Sequence, residues 1–173
     1  MDRRLMAGAL AAISLSAVLT WVHTPAFAEA SWQPQTVAVC QAEAGSFTGN
    51  VREARKGSVS GFQQDGDSCT VTVSIREAGF YDLEFLIKSQ GGYKENYVLV
   101  DGARLGTICA DGTKFTRDTI RRVYLEAGEH TVTVLKYWGY IDWDKVNVLT
   151  SRPFDESVFQ VSAKLSNENA SDN

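Results

Sequence analysis

Histidine is nearly absent: His23 and His130 are the only two in 173 residues. Multi-histidine metal centres and most histidine-based acid–base chemistry are thereby excluded. Positive charge is never concentrated. The net charge is -4 and no Lys/Arg run is longer than two, so the basic patch of a nucleic-acid binder is missing. No G-x-S-x-G elbow occurs, which removes the common serine-hydrolase signature. No window of eleven residues carries a helical apolar stripe. After residue 22 no apolar run is long enough to span a bilayer. What remains is a globular composition, 44% hydrophobic and 22% charged. That is enough to build a core in one domain of ordinary size.

The first residues read as an address. Arg3-Arg4 precedes an uncharged apolar run over residues 5–22, and Ala26-Phe-Ala28 closes it. This is the layout of a secretory signal peptide over residues 1–28, not of a membrane span. The Arg-Arg pair is also a feature of twin-arginine export. The expected product is exported, to the medium or to a periplasm, and is a monomer free of the membrane. Export permits disulfides, and Cys40, Cys69 and Cys109 follow the cleavage site. Three cysteines allow one bridge. Cys40–Cys69 is the favoured pairing, with free buried thiols as the competing reading.

After a short segment, 29–35, the periodicity is two almost throughout. Cys69, Val71, Val73 and Ile75 alternate with hydroxyl residues, and Tyr81, Leu83, Phe85 and Ile87 share one face of the next strand. Further strands are expected at about 36–43, 96–101, 104–110, 119–125, 130–137 and 141–149. Asp101-Gly102 is the strongest hairpin signal. Asp65-Gly66 and Asp111-Gly112 mark other turns. The echo between Glu77-Ala-Gly79 and Glu126-Ala-Gly128 is read as shared turn chemistry, not as a repeat. Eight or nine short strands imply an all-β domain, an antiparallel β-sandwich of jelly-roll type, over residues 36–150. Residues 151–173 form a polar tail, expected to be flexible.

Little here carries catalysis. His130 follows a turn and has no evident nucleophile beside it. Glycoside hydrolysis needs two carboxylates, but Glu43, Glu84, Glu95, Asp142 and Asp144 offer many pairs and single out none. The aromatic cluster Tyr137-Trp-Gly-Tyr-Ile-Asp-Trp143 is more informative. Gly139 breaks the strand, so Trp138 and Tyr140 fall on a loop. An exposed indole suits the apolar face of a pyranose ring, with nearby polar groups for its hydroxyls; packing in the core is the competing use. Trp143, inside the last strand, belongs to the core. Gln41 and Glu43 share one face of the first strand, and Asp142 and Asp144 one face of the last. If those strands are neighbours, their oxygen donors suit Ca²⁺; a solvated strand end is the bland alternative.

Taken in order, several motifs resemble a known family. Cys40-Gln-Ala-Glu43, Val59-Ser-Gly61-Phe62, Ala78-Gly-Phe-Tyr81-Asp-Leu83, Tyr97-Val-Leu-Val-Asp101-Gly102, Ala127-Gly-Glu-His-Thr-Val132 and Trp138-Gly-Tyr-Ile-Asp142-Trp-Asp144-Lys-Val146 resemble the jelly-roll carbohydrate-binding modules, especially family 35 and its relative family 6, folds of galactose-binding-like type. The resemblance covers residues 36–149. It implies a structural calcium held by Gln41, Glu43 and Asp144, and a sugar site at Trp138 with Asn96, joined by Tyr93, Lys94, Tyr140 and Asp142. The tail, Phe159-Gln-Val-Ser-Ala-Lys-Leu-Ser-Asn167-Glu-Asn169, resembles the lead-in to family 26 β-mannanase catalytic domains, with Glu168 where a proline is usual. A β/α barrel takes about 250 residues, and none follow. The chain therefore looks like the targeting module of a mannanase, ending at the junction. The expectation is a non-catalytic module for β-mannan or a related plant polysaccharide. The alternative is a hydrolase, as a piece of a family 26 β-mannanase.

Overall fold

The computed structural model describes residues 32–54 and 57–153. The expected signal peptide and the tail from residue 154 lie outside the described residues. The described residues form eleven strands: β1 (Thr36–Gln41), β2 (Ser46–Thr48), β3 (Arg52–Ala54), β4 (Ser58–Ser60), β5 (Ser68–Ile75), β6 (Gly79–Ser89), β7 (Tyr93–Val100), β8 (Ala103–Asp111), β9 (Thr116–Leu125), β10 (Gly128–Lys136) and β11 (Ile141–Thr150). A single 3₁₀ turn, Ala42–Ala44, follows β1.

The strands form two antiparallel sheets. One has the order β3-β4-β11-β6-β9 with β1 also on β11; the other is β2-β5-β10-β7-β8. β1 and β4 lie end to end along one edge of β11, since Gln41 pairs with Lys145 and Val59 with Trp143. First and last strands are thus neighbours, as the calcium reading requires.

Alternation explains the sandwich. Cys69, Val71, Val73 and Ile75 of β5 face Leu83, Phe85 and Ile87 of β6 across the core, joined by Val132 and Val134 of β10 and Val146 and Val148 of β11. Trp143 is fully buried and its ring lies 5.9 Å from that of Phe85. The hairpin at Asp101-Gly102 has φ of 50° and 80° at its two central residues, the left-handed pair that a two-residue turn between twisted strands demands.

The favoured disulfide is not formed. The Cys69 thiol donates to the Ala42 carbonyl at 3.4 Å and the Cys40 thiol to that of Thr72 at 3.3 Å. All three cysteines are free. Burial pushes Cys69 up to about 12 and also raises Cys40, so neither is a ready thiolate.

Candidate functional site

The chain leaves β10 at Lys136 and re-enters the sheet at Ile141, and the residues between make the site. Three consecutive anchors hold this loop. The Tyr137 N–H donates to Asn96 Oδ1 at 3.0 Å, the Trp138 N–H to the Glu95 carbonyl at 2.8 Å, and the Tyr140 N–H to the Phe62 carbonyl at 2.8 Å. Gly139 has φ of +81°, and a Cβ there would lie 2.3 Å from the Phe62 carbonyl oxygen. Glycine is required on both counts. Tyr140 also sits in the left-handed region, with φ of 53°. The loop is a fixed mount for its side chains.

Those side chains point outward. Trp138 is 55% exposed, the most open of the large apolar residues among those described. Tyr93 meets it edge-on at 5.9 Å, and Lys94 Nζ lies 5.3 Å from its ring centre. Three expected site residues are therefore brought together. Tyr93 O–H donates to Glu95 Oε1, and this bond is the main reason that its pKa is raised. Tyr137 and Trp138 line an open groove of about 350 Å³. A larger groove of about 720 Å³ runs between Val39–Gln41 and Thr70–Thr72, but no aromatic ring lines it, so it offers nothing for a sugar ring to stack on.

Two expected contacts are corrected. Asn96 is fully buried, with its Oδ1 committed to the loop from below. It shares parity with Val98 and Val100, hence faces inward, and positions the loop instead of meeting solvent. Asp142 projects from the other sheet, where it pairs with Lys88 Nζ at 3.1 Å and accepts from Gln90 Nε2 at 3.1 Å. Both its oxygens have partners on β6 or the turn that follows it. Tyr140 is exposed at the end of the loop.

The sequence reading omitted Tyr97. Its ring stacks on Tyr137 at 4.4 Å with an interplanar angle of 25°, and the Arg104 guanidinium lies 4.3 Å from its centre. Strand parity with Tyr93 was the available signal.

At the other expected site, Glu43 lies on the 3₁₀ turn. Its Oε2 is buried and has no hydrogen-bond partner. A Cβ at Gly57 would come within 3.1 Å of its Oε1. Asp144 occupies the irregularity of β11 between Trp143 and Lys145, and Lys145 Nζ is 3.6 Å from its Oδ2. Gln41 pairs with Lys145 in the ladder and is exposed. Among the described residues no three acidic, histidine or cysteine side chains gather as a metal cluster. An enclosed carboxylate oxygen without a donor nonetheless fits a cation better than an empty corner.

Comparisons with known proteins bear on the family and the fold. The family model of the carbohydrate binding module (family 35) matches residues 36–151. Mannan endo-1,4-beta-mannosidase A of Piromyces sp is 33% identical over 111 residues, 64% of this chain and 18% of that protein. Mannan endo-1,4-beta-mannosidase B of the same source is 33% identical over 98 residues, 56% of this chain and 17% of that protein. The chain thus spans less than a fifth of the length of these curated relatives. The Podospora anserina GH26-CBM35 beta-(1,4)-mannanase superposes with a TM-score of 0.61 at 27% identity, covering 70% of this chain and 28% of that one. A CBM36 module in complex with calcium and xylotriose superposes at 0.54 with 10% identity, over 66% of this chain and 100% of that one; at that identity the likeness concerns the fold.

Proposed function

This chain belongs to carbohydrate-binding module family 35, and from that membership we propose that it is a secreted, non-catalytic targeting module for β-mannan. The observation that carries the reading is the exposed indole of Trp138 on a loop pinned at three points beside Tyr93. A neutral polysaccharide offers no charge to attract, so binding rests on ring stacking and oriented hydrogen bonds. The pinned loop contributes by holding the ring in place before the ligand arrives. Mannan is favoured as ligand because the relatives named above are mannanases. The same relatives support a wider setting in which the module serves a family 26 β-mannanase and the hydrolytic residues lie in another domain.

In this reading residues 1–28 are an export signal, 29–35 a short N-terminal segment, 36–150 the module, and 151–173 a tail that resembles the linker and start of a mannanase catalytic domain. The module works as a monomer, without nucleic acid. No helix among the described residues is long and apolar enough to cross a membrane.

A structural Ca²⁺ completes the proposal. Glu43, with its enclosed Oε2, is the principal ligand; Asp144 and the Gln41 side-chain carbonyl are its partners. When bound, such an ion supplies electrostatic cross-linking between the first and last strands. Gln41 is neutral where a third carboxylate would add charge, which lowers the expected affinity.

Affinity electrophoresis on mannan, xylan and pectin, beside a reducing-sugar assay, tests the function. Retardation in mannan without release of reducing ends is expected. Unretarded migration in all three gels would overturn it, and turnover lost on substitution of an Asp or Glu would make the chain an enzyme.

A further inference from the structure

Tyr93, Glu95, Tyr97 and Leu99 alternate with Asn96, Val98 and Val100 along β7, and the latter three are buried. The first four therefore share the outer face of the five-stranded sheet. Two of them carry a loop ring: Trp138 meets Tyr93, and Tyr137 stacks on Tyr97. Tyr137 is 47% exposed despite that stack. Glu95 lies between the two ring pairs, with its Oε1 accepting from Tyr93. Arg104 of β8 closes the far end over Tyr97.

Four steps along the strand lead from Tyr93 to Tyr97, about 13 Å at 3.3 Å per residue. That exceeds the width of one pyranose ring. A single sugar cannot engage both pairs, whereas a linear chain laid along β7 can. Beyond Tyr97 the sheet continues with hydroxyl residues. Tyr97 pairs with Thr107 and Leu135, and Leu135 with Ser68; one row further, Thr133 and Thr70 are bonded at 2.8 Å. Around the second pair, Arg104 supplies the charge.

We infer that Tyr137, Tyr97 and Arg104 form a second sugar subsite, continuous with that at Trp138, so that the module grips an internal stretch of a neutral β-linked hexopyranose chain rather than a chain end. The Tyr137 ring offers the stacking plane, with Tyr97 as its backing. Arg104 and the Glu95 carboxylate supply a donor and an acceptor for sugar hydroxyls on either side. This inference rests on the proposed sugar-binding function.

Titration calorimetry with mannobiose and mannohexaose tests it, using the wild-type chain, Tyr137→Leu, Arg104→Ala and Trp138→Ala. Wild type should bind the hexaose about tenfold more tightly than the biose. Tyr137→Leu and Arg104→Ala should each remove most of that gain while leaving the melting temperature near wild type, and Arg104→Ala should leave biose affinity unchanged; Trp138→Ala should weaken both ligands. Equal affinity of wild type for both lengths overturns the second subsite but leaves the Trp138 reading intact. So does a Tyr137→Leu protein, folded by melting temperature, that keeps the length dependence together with Arg104→Ala. Wild type that binds neither sugar overturns the function itself, and this subsite with it.

Discussion

Asp67 accepts the backbone N–H groups of Asn50, Gln63 and Gln64 at 2.7–2.8 Å, and its own carbonyl takes the N–H of Lys136 at 2.8 Å. It ties the β2–β3 and β4–β5 loops to the end of β10, where the candidate-site loop begins. Burial on its own would raise its pKa; the donors from Gln64, Asn50 and Gln63 win and hold it down at about 2. A depressed acid contributes stability above its unfolded value near 3.8, lost as pH falls through about 2. Asp67→Ala leaves three part-buried N–H groups without their acceptor and should cost about 3 kcal/mol in urea unfolding. A loss below about 1 kcal/mol would mean that water replaces the carboxylate. At this scale the sequence was partly legible. The exposure of Trp138 was legible because Gly139 marks a break beside it, and the burial of Trp143 because it lies inside the last strand. Asn96 was misplaced because the family resemblance outweighed its parity with Val98. Tyr97 was missed because one outward tyrosine on a strand looks ordinary until Tyr137 is seen to stack on it.

Two turns decide how the strands are presented. His130 opens β10 with Nδ1 2.7 Å from Asp101 Oδ2 and Nε2 2.9 Å from the Glu126 carbonyl. Both ring nitrogens face acceptors, so the imidazolium fits best. The Asp101 bond first, and the Glu126 carbonyl next, raise its pKa, while His130 in turn lowers that of Asp101. The histidine contribution is full below about 6.5 and fades as pH rises through its higher folded value; that of the aspartate is full above about 3.9 and fades as pH falls. The hairpin should be tightest between those limits. His130→Ala should flatten the alkaline limb of a melting-temperature profile between pH 5 and 8; an unchanged limb would show that the ring is neutral when folded. The second turn is the loop itself. Gly139→Ala forces a Cβ against the Phe62 carbonyl in the left-handed region, and should cost at least about 1 kcal/mol of stability and loosen mannan binding. Unaltered melting and binding would contradict the pinned-loop account. The long strands were readable because alternation persists over eight residues or more. β2, β3 and β4 were not, because three residues carry no period; their place comes from pairing with β5 and β11.

For the whole molecule, the pairing of β1 with β11 brings the two ends of the domain together, which is where the calcium is proposed. An ion bound only by the folded state at a hundred times its dissociation constant stabilises by about 2.7 kcal/mol. Chelator should therefore lower the melting temperature by several degrees, and Glu43→Ala should abolish that response. A chelator-insensitive wild type would refute the ion. Two residues past the proposed boundary at 150 bond back to the sandwich. Ser151 donates to the Phe80 carbonyl and to Asp82, and the Arg152 carbonyl accepts from Arg122. The sandwich was legible as a whole because nearly every residue of its core obeys a period of two; the candidate sugar face was legible only in part, because it joins the loop after β10 to the β7–β8 hairpin, which lies far from it in sequence. Its central claim is that an exposed ring, not the core, carries recognition. The most direct measurement is Trp138→Ala, followed by mannan affinity electrophoresis and thermal melting on the same protein. The account predicts a melting temperature within a degree or two of wild type and retardation lost, about thirtyfold in affinity or about 2 kcal/mol. Undiminished retardation, or a drop in stability like the 3–5 kcal/mol of a core tryptophan, would contradict it.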